Sequence, residues 1–348
     1  DGSFYITKHP GTGGLVSTGT VTAQLLYEIS APAYLNPDVI AHFDTLNIEE
    51  VSKDRVYVSG CRGSSPTNTH KVCINLAGGY RNGMEFILTG LDIEEKAQII
   101  SDALFNSVGG KEQFDEVSIL LDRTDKKDPN SNEEAMASLR ISVKSKDADL
   151  VGRMFTAKMV ELALANYPGL YMGGAVRSGG PVLVYWPALI DSKHIKETVH
   201  IDGKEINVMP TNQLDLEETY YQKQPVEIPP PPSGETLNKP LGELFGARSG
   251  DKGGCANIGV WAKSENAFSF LNNFLTVEKI KQLMPDISEF EIDRYELPNI
   301  LSLNFYIHDI LEDGVSSNNR KDGQAKSLGE YLRAKYADIP ESLFEENI

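Results

Sequence analysis

Residues Gly246–Trp261 read GARSGDKGGCANIGVW and combine five glycines with Arg248, Asp251 and Lys252. The segments LGELFGA and ANIGVWA stand on either side and predict two strands, with the charged residues in a glycine-rich loop between them. A turn between strands needs one or two glycines, and this stretch has more. Either the turn is strained, or the bare backbone is kept so that a ligand can approach it.

The residues that follow this hairpin predict the rest of a small domain. LTVEKIKQLMP predicts a helix that Thr276 caps and Pro285 ends. In Leu301–His308 apolar and polar residues alternate, which predicts a strand with one apolar and one polar face. GQAKSLGEYLRAKY predicts a last helix. The order ββαββα indicates a small α+β sandwich, with helices on one face of the sheet.

The segment before the hairpin marks a domain boundary. Tyr220–Pro240 reads YYQKQPVEIPPPPSGETLNKP, is rich in proline and has no periodicity, so it predicts a semi-rigid linker. A strap packed against a domain is the alternative. We place the linker at residues 222–240, between an α/β domain (1–221) and the small α+β domain (241–348), and expect limited proteolysis to cut there.

Helices and strands mix before the linker, which predicts a mixed α/β sheet. Helices are predicted at Ser17–Ile29 with a Ser or Thr cap, from Asp92 with the capping-box spacing to Glu95, and at Asp147–Tyr167. Strands are predicted at Arg55–Cys61, Lys71–Gly79, Met84–Gly90, Glu116–Asp122 and Pro181–Ile190, with hairpin turns at Asn82–Gly83 and, within Thr198–Met209, at Asp202–Gly203.

Composition narrows the classes of protein. The chain has 348 residues, enough for two domains, and a net charge of -17. This acidity argues against a nucleic-acid or anionic-membrane partner, because phosphate binding relies on basic clusters. No apolar run is long enough to span a membrane. Cys61, Cys73 and Cys255 form no CxxC pair, which predicts a reducing compartment, the cytoplasm, with an organellar matrix left open.

Two further glycine clusters are candidate anion sites. KHPGTGGLVSTGTV (Lys8–Val21) leads into the first predicted helix, so its Gly11, Thr12, Gly13 and Gly14 could hold a phosphate or carboxylate at the helix N-terminus. A tight turn that sets the helix angle explains the same residues. MGGAVRSGGPVLVYW places Arg177 between two glycine pairs. No two of the six histidines have metal-ligand spacing, so no metal is predicted.

Long ordered motifs resemble the acyclic terpene utilisation (AtuA) family. They cover nearly the whole chain: DGSFYITKHPGTGGLVSTGTVTAQLLYEI followed by YLNPDV, then ARSGDKGGCANIGVWA, YELPNILSLNFYI and QAKSLGEYL. The resemblance implies a ferredoxin-like fold for the small domain. It also implies a further α/β segment upstream of Asp1. We therefore expect that segment, a second chain or other copies of this chain to complete the assembly, and we predict a homo-oligomer.

The resemblance also implies a substrate class. The family is linked to the breakdown of citronellol and geraniol, in which branched acids are processed as acyl-CoA thioesters. CoA would then enter as part of the substrate, and no separate cofactor is predicted. The family pattern leads us to expect asparagine where this chain has Cys255. A thiol there is either a nucleophile or a small residue that begins a strand.

Two hypotheses about function remain. The first is an enzyme that acts on an acyl-CoA or carboxylate by hydration, C–C cleavage or hydrolysis, with Arg248, Asp251 and Lys252 as catalytic residues. Lys252 and Arg248 would bind a carboxylate or phosphate, and Asp251 would be a general base or an orienting group. The proposed anion-binding residues are Gly11, Thr12, Gly13, Gly14, Gly253, Gly254 and Arg177. The second is a non-catalytic subunit or ligand-binding module, which would not need three charges compressed among glycines.

Overall fold

The computed structural model describes residues 2–208 and 226–345. The chain divides into two compact units. The first unit comprises Asp1–Ile74 and Tyr185–Ile348, and the second comprises Asn75–Val184. None of the helices in the described residues is long and apolar enough to cross a membrane.

Helices and strands alternate irregularly along the chain, with single-turn 3-10 helices and a π-helical segment, Leu150–Met154, between them. Residues 2–208 form β1 Phe4–Thr7, α1 Thr18–Leu25, β2 Ala33–Leu35, β3 Ile40–His42, β4 Asn47–Ser52, β5 Arg55–Ser59, β6 Arg62–Ser64, β7 Thr69–Thr89, α2 Ile93–Ser107, β8 Glu116–Asp122, β9 Met136–Ser145, α3 Phe155–Leu164, β10 Tyr171–Met172, β11 Gly180–Asp191, β12 Glu197–Ile201 and β13 Lys204–Val208. Residues 226–345 form β14 Thr236–Pro240, β15 Gly246–Lys252, β16 Cys255–Trp261, α4 Glu265–Phe274, α5 Val277–Leu283, β17 Ile292–Leu297, β18 Ser302–Ile307, α6 Leu328–Arg333, β19 Tyr336–Pro340 and α7 Ser342–Glu345.

A four-stranded antiparallel sheet, ordered β15-β16-β18-β17, forms the centre of the first unit. Its apolar side chains and those of α4, α5 and α6 share one buried core. The Thr276 side chain caps α5, as predicted. The first predicted strand, LGELFGA, was wrong in part, because Leu241–Glu243 is a 3-10 turn and the strand begins at Gly246.

Strands β14 and β19 form an antiparallel pair that sequence patterns did not predict. Residues 236–240 of the predicted linker are therefore a strand of the first unit, held by hydrogen bonds to Tyr336–Pro340. Separate folding on the two sides of residues 222–240 stays a prediction. Residues 220–225 of the proline-rich segment lie outside the described residues.

The polar face of the sheet packs against the start of the chain. Asn257 on β16 and Asn304 on β18 are fully buried there. The Asn257 amide donates to the Leu26 carbonyl oxygen (2.7 Å), and its oxygen accepts from the Glu28 backbone N–H (3.0 Å). The Asn304 amide donates to the Ser30 carbonyl oxygen (2.6 Å). Buried polar groups are stable only when they are hydrogen-bonded, so these amides fix residues 26–30 on the sheet.

Two local predictions for the first unit are confirmed, the cap of the first helix and the hairpin turn at Asp202–Gly203, although the helix was predicted to reach Ile29 and ends at Leu25. Helix α1 begins after Ser17. The Ser17 hydroxyl accepts from the Thr20 N–H, and the Thr20 hydroxyl accepts from the Ser17 N–H, so the two residues form a capping box. Strands β12 and β13 form a hairpin whose turn residues, Asp202 and Gly203, both have positive φ. Only a residue that tolerates the left-handed region fits such a turn.

The second unit contains an antiparallel sheet ordered β10-β7-β9-β8, with β11 paired to β7 and helices α2 and α3 contributing to its core. The predicted hairpin turn at Asn82–Gly83 was wrong, since β7 runs straight through it. Asn82 is buried, and its amide donates to the Val151 carbonyl oxygen (2.7 Å) and the Thr156 hydroxyl (2.9 Å). Its side chain therefore anchors the strand, and no turn is needed.

Two predicted helix starts in the second unit also differ. Asp92 precedes α2 but has a left-handed backbone and makes no side-chain cap hydrogen bond. The third predicted helix covered Asp147–Tyr167, whereas the structure has a π-helical segment at Leu150–Met154 followed by α3 at Phe155–Leu164. Gly152 departs from helical geometry, with ψ of -130°. Glycine in a helix interior costs about 1 kcal/mol relative to alanine, so a break there is inexpensive.

Candidate functional site

The charged residues of the glycine-rich stretch lie on a strand, and the prediction that they lie in a loop was wrong. Strand β15 extends through Arg248 and Asp251 to Lys252, which pairs directly with Cys255. The hairpin therefore closes in two residues, Gly253 and Gly254. Gly253 has φ of +68°, a conformation that favours glycine.

Close packing accounts for both turn glycines. A Cβ on Gly254 would lie 2.2 Å from the backbone oxygen of Glu312. The Leu311 N–H donates to the Gly254 carbonyl oxygen (2.8 Å), so the turn and this segment are held together. A Cβ on Gly253 would lie 2.9 Å from the Tyr185 ring. The second glycine of the turn is thus required by a neighbouring backbone, independently of any ligand.

The three charged side chains do not act as one group. Asp251 pairs with Lys326 (Oδ1 to Nζ, 3.2 Å), and the Arg248 guanidinium lies over the Tyr27 ring (4.2 Å to the centroid). Asp251 therefore pairs with Lys326 and not with Arg248. Lys326 also bonds to the Glu28 carboxylate and the Tyr27 hydroxyl.

The network of Lys326, Glu28, Tyr27 and Asp251 favours the charged forms of Glu28 and Lys326. Partial burial opposes the charge on Glu28, but hydrogen bonds from Lys326 and Tyr27 outweigh it and lower the pKa of the Glu28 carboxyl. Burial likewise opposes the charge on Lys326, but its bonds to Glu28, Tyr27 and Asp251 raise its pKa above the usual lysine range. A general acid or base works best with a pKa near the operating pH, so this network favours positioning over proton transfer.

A cleft of about 530 Å³ lies beside this network and is built from residues of the first unit. Its lining combines aromatic rings, two cations, one thiol and three acids. These are Tyr34, Tyr185, Trp186, Tyr306, Lys71, Lys252, Cys255, Asp309, Glu312 and Asp313, together with Gly253 and Gly254. Its volume falls within the range of small-molecule sites, which are mostly apolar with a few placed polar groups.

Lys252 is the predicted catalytic residue that lines this cleft. Burial, and then the nearby charge of Lys71, lower the pKa of its amine, although Glu28 opposes the shift. The Nζ atom lies 5.1 Å from the centroid of the Tyr34 ring. Within residues 2–208 and 226–345, Lys252 has no salt-bridge partner. A cation that faces an aromatic-walled cleft without a carboxylate partner is suited to bind an anionic or carbonyl oxygen.

The first glycine cluster does not line the cleft. Gly11, Thr12, Gly13 and Gly14 form an exposed turn, in which the Thr12 carbonyl oxygen accepts from Lys8 Nζ (2.8 Å). The N-terminus of α1 already has acceptors, because the Glu50 carboxylate accepts from the Thr18 N–H (3.3 Å) and the Ser17 hydroxyl from Thr20. The turn therefore does not share the cleft with Gly253 and Gly254, and an anion site in the turn stays a prediction.

Arg177, the remaining predicted anion-binding residue, lies in the second unit. Its side chain is exposed, and its carbonyl oxygen accepts from the Thr156 hydroxyl (3.0 Å). The cleft is formed by residues of the first unit, so Arg177 stays a separate prediction.

Two further groups of residues are brought together only by the fold. Cys255 Sγ accepts from the Asp309 N–H (3.5 Å), and Tyr306 lines the same cleft. Separately, ligand atoms of Glu291, Asp293 and His308 lie within 4.8 Å of one another. The antiparallel register of β17 and β18 brings this trio together. Only one of these three residues is a histidine, so the spacing of histidines in the sequence could not reveal this group as a candidate metal site.

Comparison with known families identifies the chain. Residues 1–201 match the model of the acyclic terpene utilisation family protein AtuA, and residues 239–337 match the AtuA ferredoxin-like domain. The chain belongs to the AtuA family. This membership gives it a role in acyclic terpene utilisation and identifies the sheet β15-β16-β18-β17 with its helices as the AtuA ferredoxin-like domain. No curated protein and no solved structure matches the chain.

Proposed function

We propose that this AtuA-family protein is an enzyme that binds a branched, isoprenoid-derived carboxylic acid or its CoA thioester in the cleft of the first unit. The observation that carries the proposal is Lys252, a partly buried cation beside the Tyr34 ring with no salt-bridge partner among the described residues. The amine would bind the carboxylate or thioester oxygen, and Tyr34, Tyr185 and Trp186 would contact the apolar chain. Lys71, which is exposed beside Tyr185, would attract the anionic part of a CoA ester.

The other two predicted catalytic residues take supporting roles in this proposal. Asp251 positions the strand through Lys326, and Arg248 restrains the Tyr27 ring. Both act on the segment that carries Glu28, whose charge reaches Lys252. Hydration, C–C cleavage and hydrolysis all require a polarised carbonyl, so Lys252 serves each of them in the same way.

Replacing Lys252 with methionine is expected to weaken binding of geranic acid or its CoA thioester by about 10- to 100-fold, as expected for a lost charge-assisted hydrogen bond. Wild-type affinity should fall as pH rises through the lowered pKa of Lys252, because only the charged amine attracts an anion. Lys252→Arg should bind without that decline. Isothermal titration calorimetry with a straight-chain acid of equal carbon number would measure the preference for branching.

Lys279→Met is the matched control. Lys279 also lies over an aromatic ring, 5.0 Å from the Phe274 centroid, but on helix α5 and not in the cleft. Its loss should leave affinity unchanged. Equal affinity of wild type and Lys252→Met for both ligands would refute the proposal. Binding that depends on Lys252 without turnover of either ligand would favour a binding module over an enzyme.

A specific observation also favours assembly with a second copy of the chain. In the β12–β13 hairpin, Val199, Ile201, Ile206 and Val208 share one face and are 40–55% exposed. A two-stranded hairpin is at best marginally stable in water. Glu197 lies at one end of this face and Lys204 at the other. Two hairpins related by a twofold axis would therefore pair opposite charges at both ends.

We therefore expect a homo-oligomer in which these hairpin faces meet, and we expect Ile206→Asp to dissociate it. Thr198→Asp, on the polar face of the same hairpin, is the matched control and should leave the assembly intact. Light scattering at several concentrations measures the mass directly. A wild-type monomer of about 38 kDa, or dissociation by Thr198→Asp alone, would contradict this interface.

A further inference from the structure

The thiol of Cys255 has a setting that neither of the other two cysteines shares. Cys255 is partly buried and lines the cleft, whereas Cys61 and Cys73 are exposed and lie outside it. Directly paired residues in a sheet have Cβ atoms about 5 Å apart, and Cys255 pairs with Lys252. Cys255 and Lys252 are therefore cross-strand neighbours that both line the cleft.

A backbone donor points at the sulfur, because the Asp309 N–H donates to Cys255 Sγ (3.5 Å). Tyr306 lines the same cleft, and burial, with the Cys255 side chain as a smaller cause, raises the pKa of its hydroxyl, so Tyr306 keeps its proton. A backbone donor and a lysine in the same cleft are the kinds of neighbour that a cysteine nucleophile uses.

We propose that Cys255 is a nucleophile that accepts the acyl group of the thioester substrate. This inference rests on the proposed function, since it requires an acyl-CoA in the cleft. The Cys255 thiol gives its proton to solvent or to the neutral form of Lys252, and the sulfur attacks the thioester carbonyl carbon. A new carbon–sulfur bond forms, the bond to the CoA sulfur breaks, and CoA leaves and is protonated.

The neighbours of Cys255 fit the charge changes of this step. The charged Lys252 amine stabilises first the thiolate and then the oxyanion of the tetrahedral intermediate. Aromatic rings of the cleft keep the acyl chain from water. The product is an acyl–Cys255 thioester, which water hydrolyses to the free acid. Atoms balance without an oxidant or reductant, because one thioester replaces another.

The test is intact-mass spectrometry of the full chain after incubation with geranoyl-CoA. The wild type should gain the mass of one acyl group and release one equivalent of CoA thiol, and hydroxylamine should remove the added mass. Cys61→Ser and Cys73→Ser are the matched controls and should form the same adduct. Cys255→Ser should form no thioester adduct while still binding geranic acid, which shows that the variant is folded and that the cleft is intact.

A second measurement covers an adduct that is hydrolysed too fast to accumulate. Iodoacetamide should alkylate Cys255 faster than the more exposed Cys61 and Cys73, as followed by peptide mass spectrometry. Geranoyl-CoA at tenfold its Kd should slow alkylation of Cys255 alone, by about tenfold, because the free site is then scarce. Persistent acylation of Cys255→Ser, or binding of geranoyl-CoA with neither adduct nor protection at Cys255, would overturn the proposal. Failure of the wild type to bind geranoyl-CoA would instead refute the proposed function, and this inference with it.

Discussion

Replacing Asn257 with alanine is expected to lower the free energy of unfolding by about 3 to 5 kcal/mol. Its amide is fully buried and makes three hydrogen bonds: from the Glu28 N–H, to the Leu26 carbonyl oxygen and to Asn304 Oδ1 (2.8 Å). Alanine leaves all three partners buried without Asn257, and each unpaired group costs about 1–3 kcal/mol. Denaturant unfolding measures the loss.

Asn238→Ala is the control for this substitution. Asn238 is exposed, and its amide donates to the Asp338 carboxylate (2.9 Å). Surface substitutions usually change stability by within about 0.5 kcal/mol, so Asn238→Ala should be nearly neutral. A loss below about 1 kcal/mol for Asn257→Ala would mean that residues 26–30 are not held on the sheet by this amide. Because Glu28 lies on that segment, the same variant should also weaken binding in the cleft.

The polar face around Asn257 shows how far sequence periodicity reaches. Alternation from Leu301 to His308 correctly separated the apolar residues of β18 from Ser302, Asn304, Tyr306 and His308. Periodicity cannot say what a polar face contacts. Ser302 and Asn304 are fully buried, and Asn304 binds backbone far away in the sequence. Only the fold brings residues 26–30 to that face, so the buried amides could not be distinguished from solvated ones.

The same limit applies to the candidate site. Composition and spacing identified Lys252, Gly253 and Gly254, which do line the cleft. They did not identify Lys326. Asp251 forms its ion pair with Lys326, although Arg248 is nearer to Asp251 in the sequence. Nor could they supply Tyr34, Lys71 and Tyr185, which reach the cleft from other parts of the chain. A local pattern can mark the residues of one hairpin, but the partners that decide their protonation and direction are set by tertiary contacts.

Gly254→Ala tests why the hairpin is rich in glycine. The added Cβ would lie 2.2 Å from the Glu312 oxygen, so the turn must move away and lose the hydrogen bond from the Leu311 N–H. Overpacking costs about 1–3 kcal/mol, and a lost backbone bond adds about 1 kcal/mol. We therefore expect a loss of about 3 kcal/mol in the free energy of unfolding, measured by denaturant titration.

Gly13→Ala provides the comparison, because a Cβ there meets no atom within 4 Å and its φ is not positive. Alanine reduces the freedom of the unfolded chain, so this variant should be neutral or slightly more stable. The two variants separate the two explanations of the glycine-rich sequence. If Gly254 is kept so that a ligand can approach, Gly254→Ala will retain its stability and lose affinity for geranoyl-CoA. If Gly254 is kept because the Glu312 backbone lies against it, as the 2.2 Å approach indicates, Gly254→Ala will lower the free energy of unfolding. Affinity for geranoyl-CoA will then fall only to the extent that the displaced turn moves Lys252.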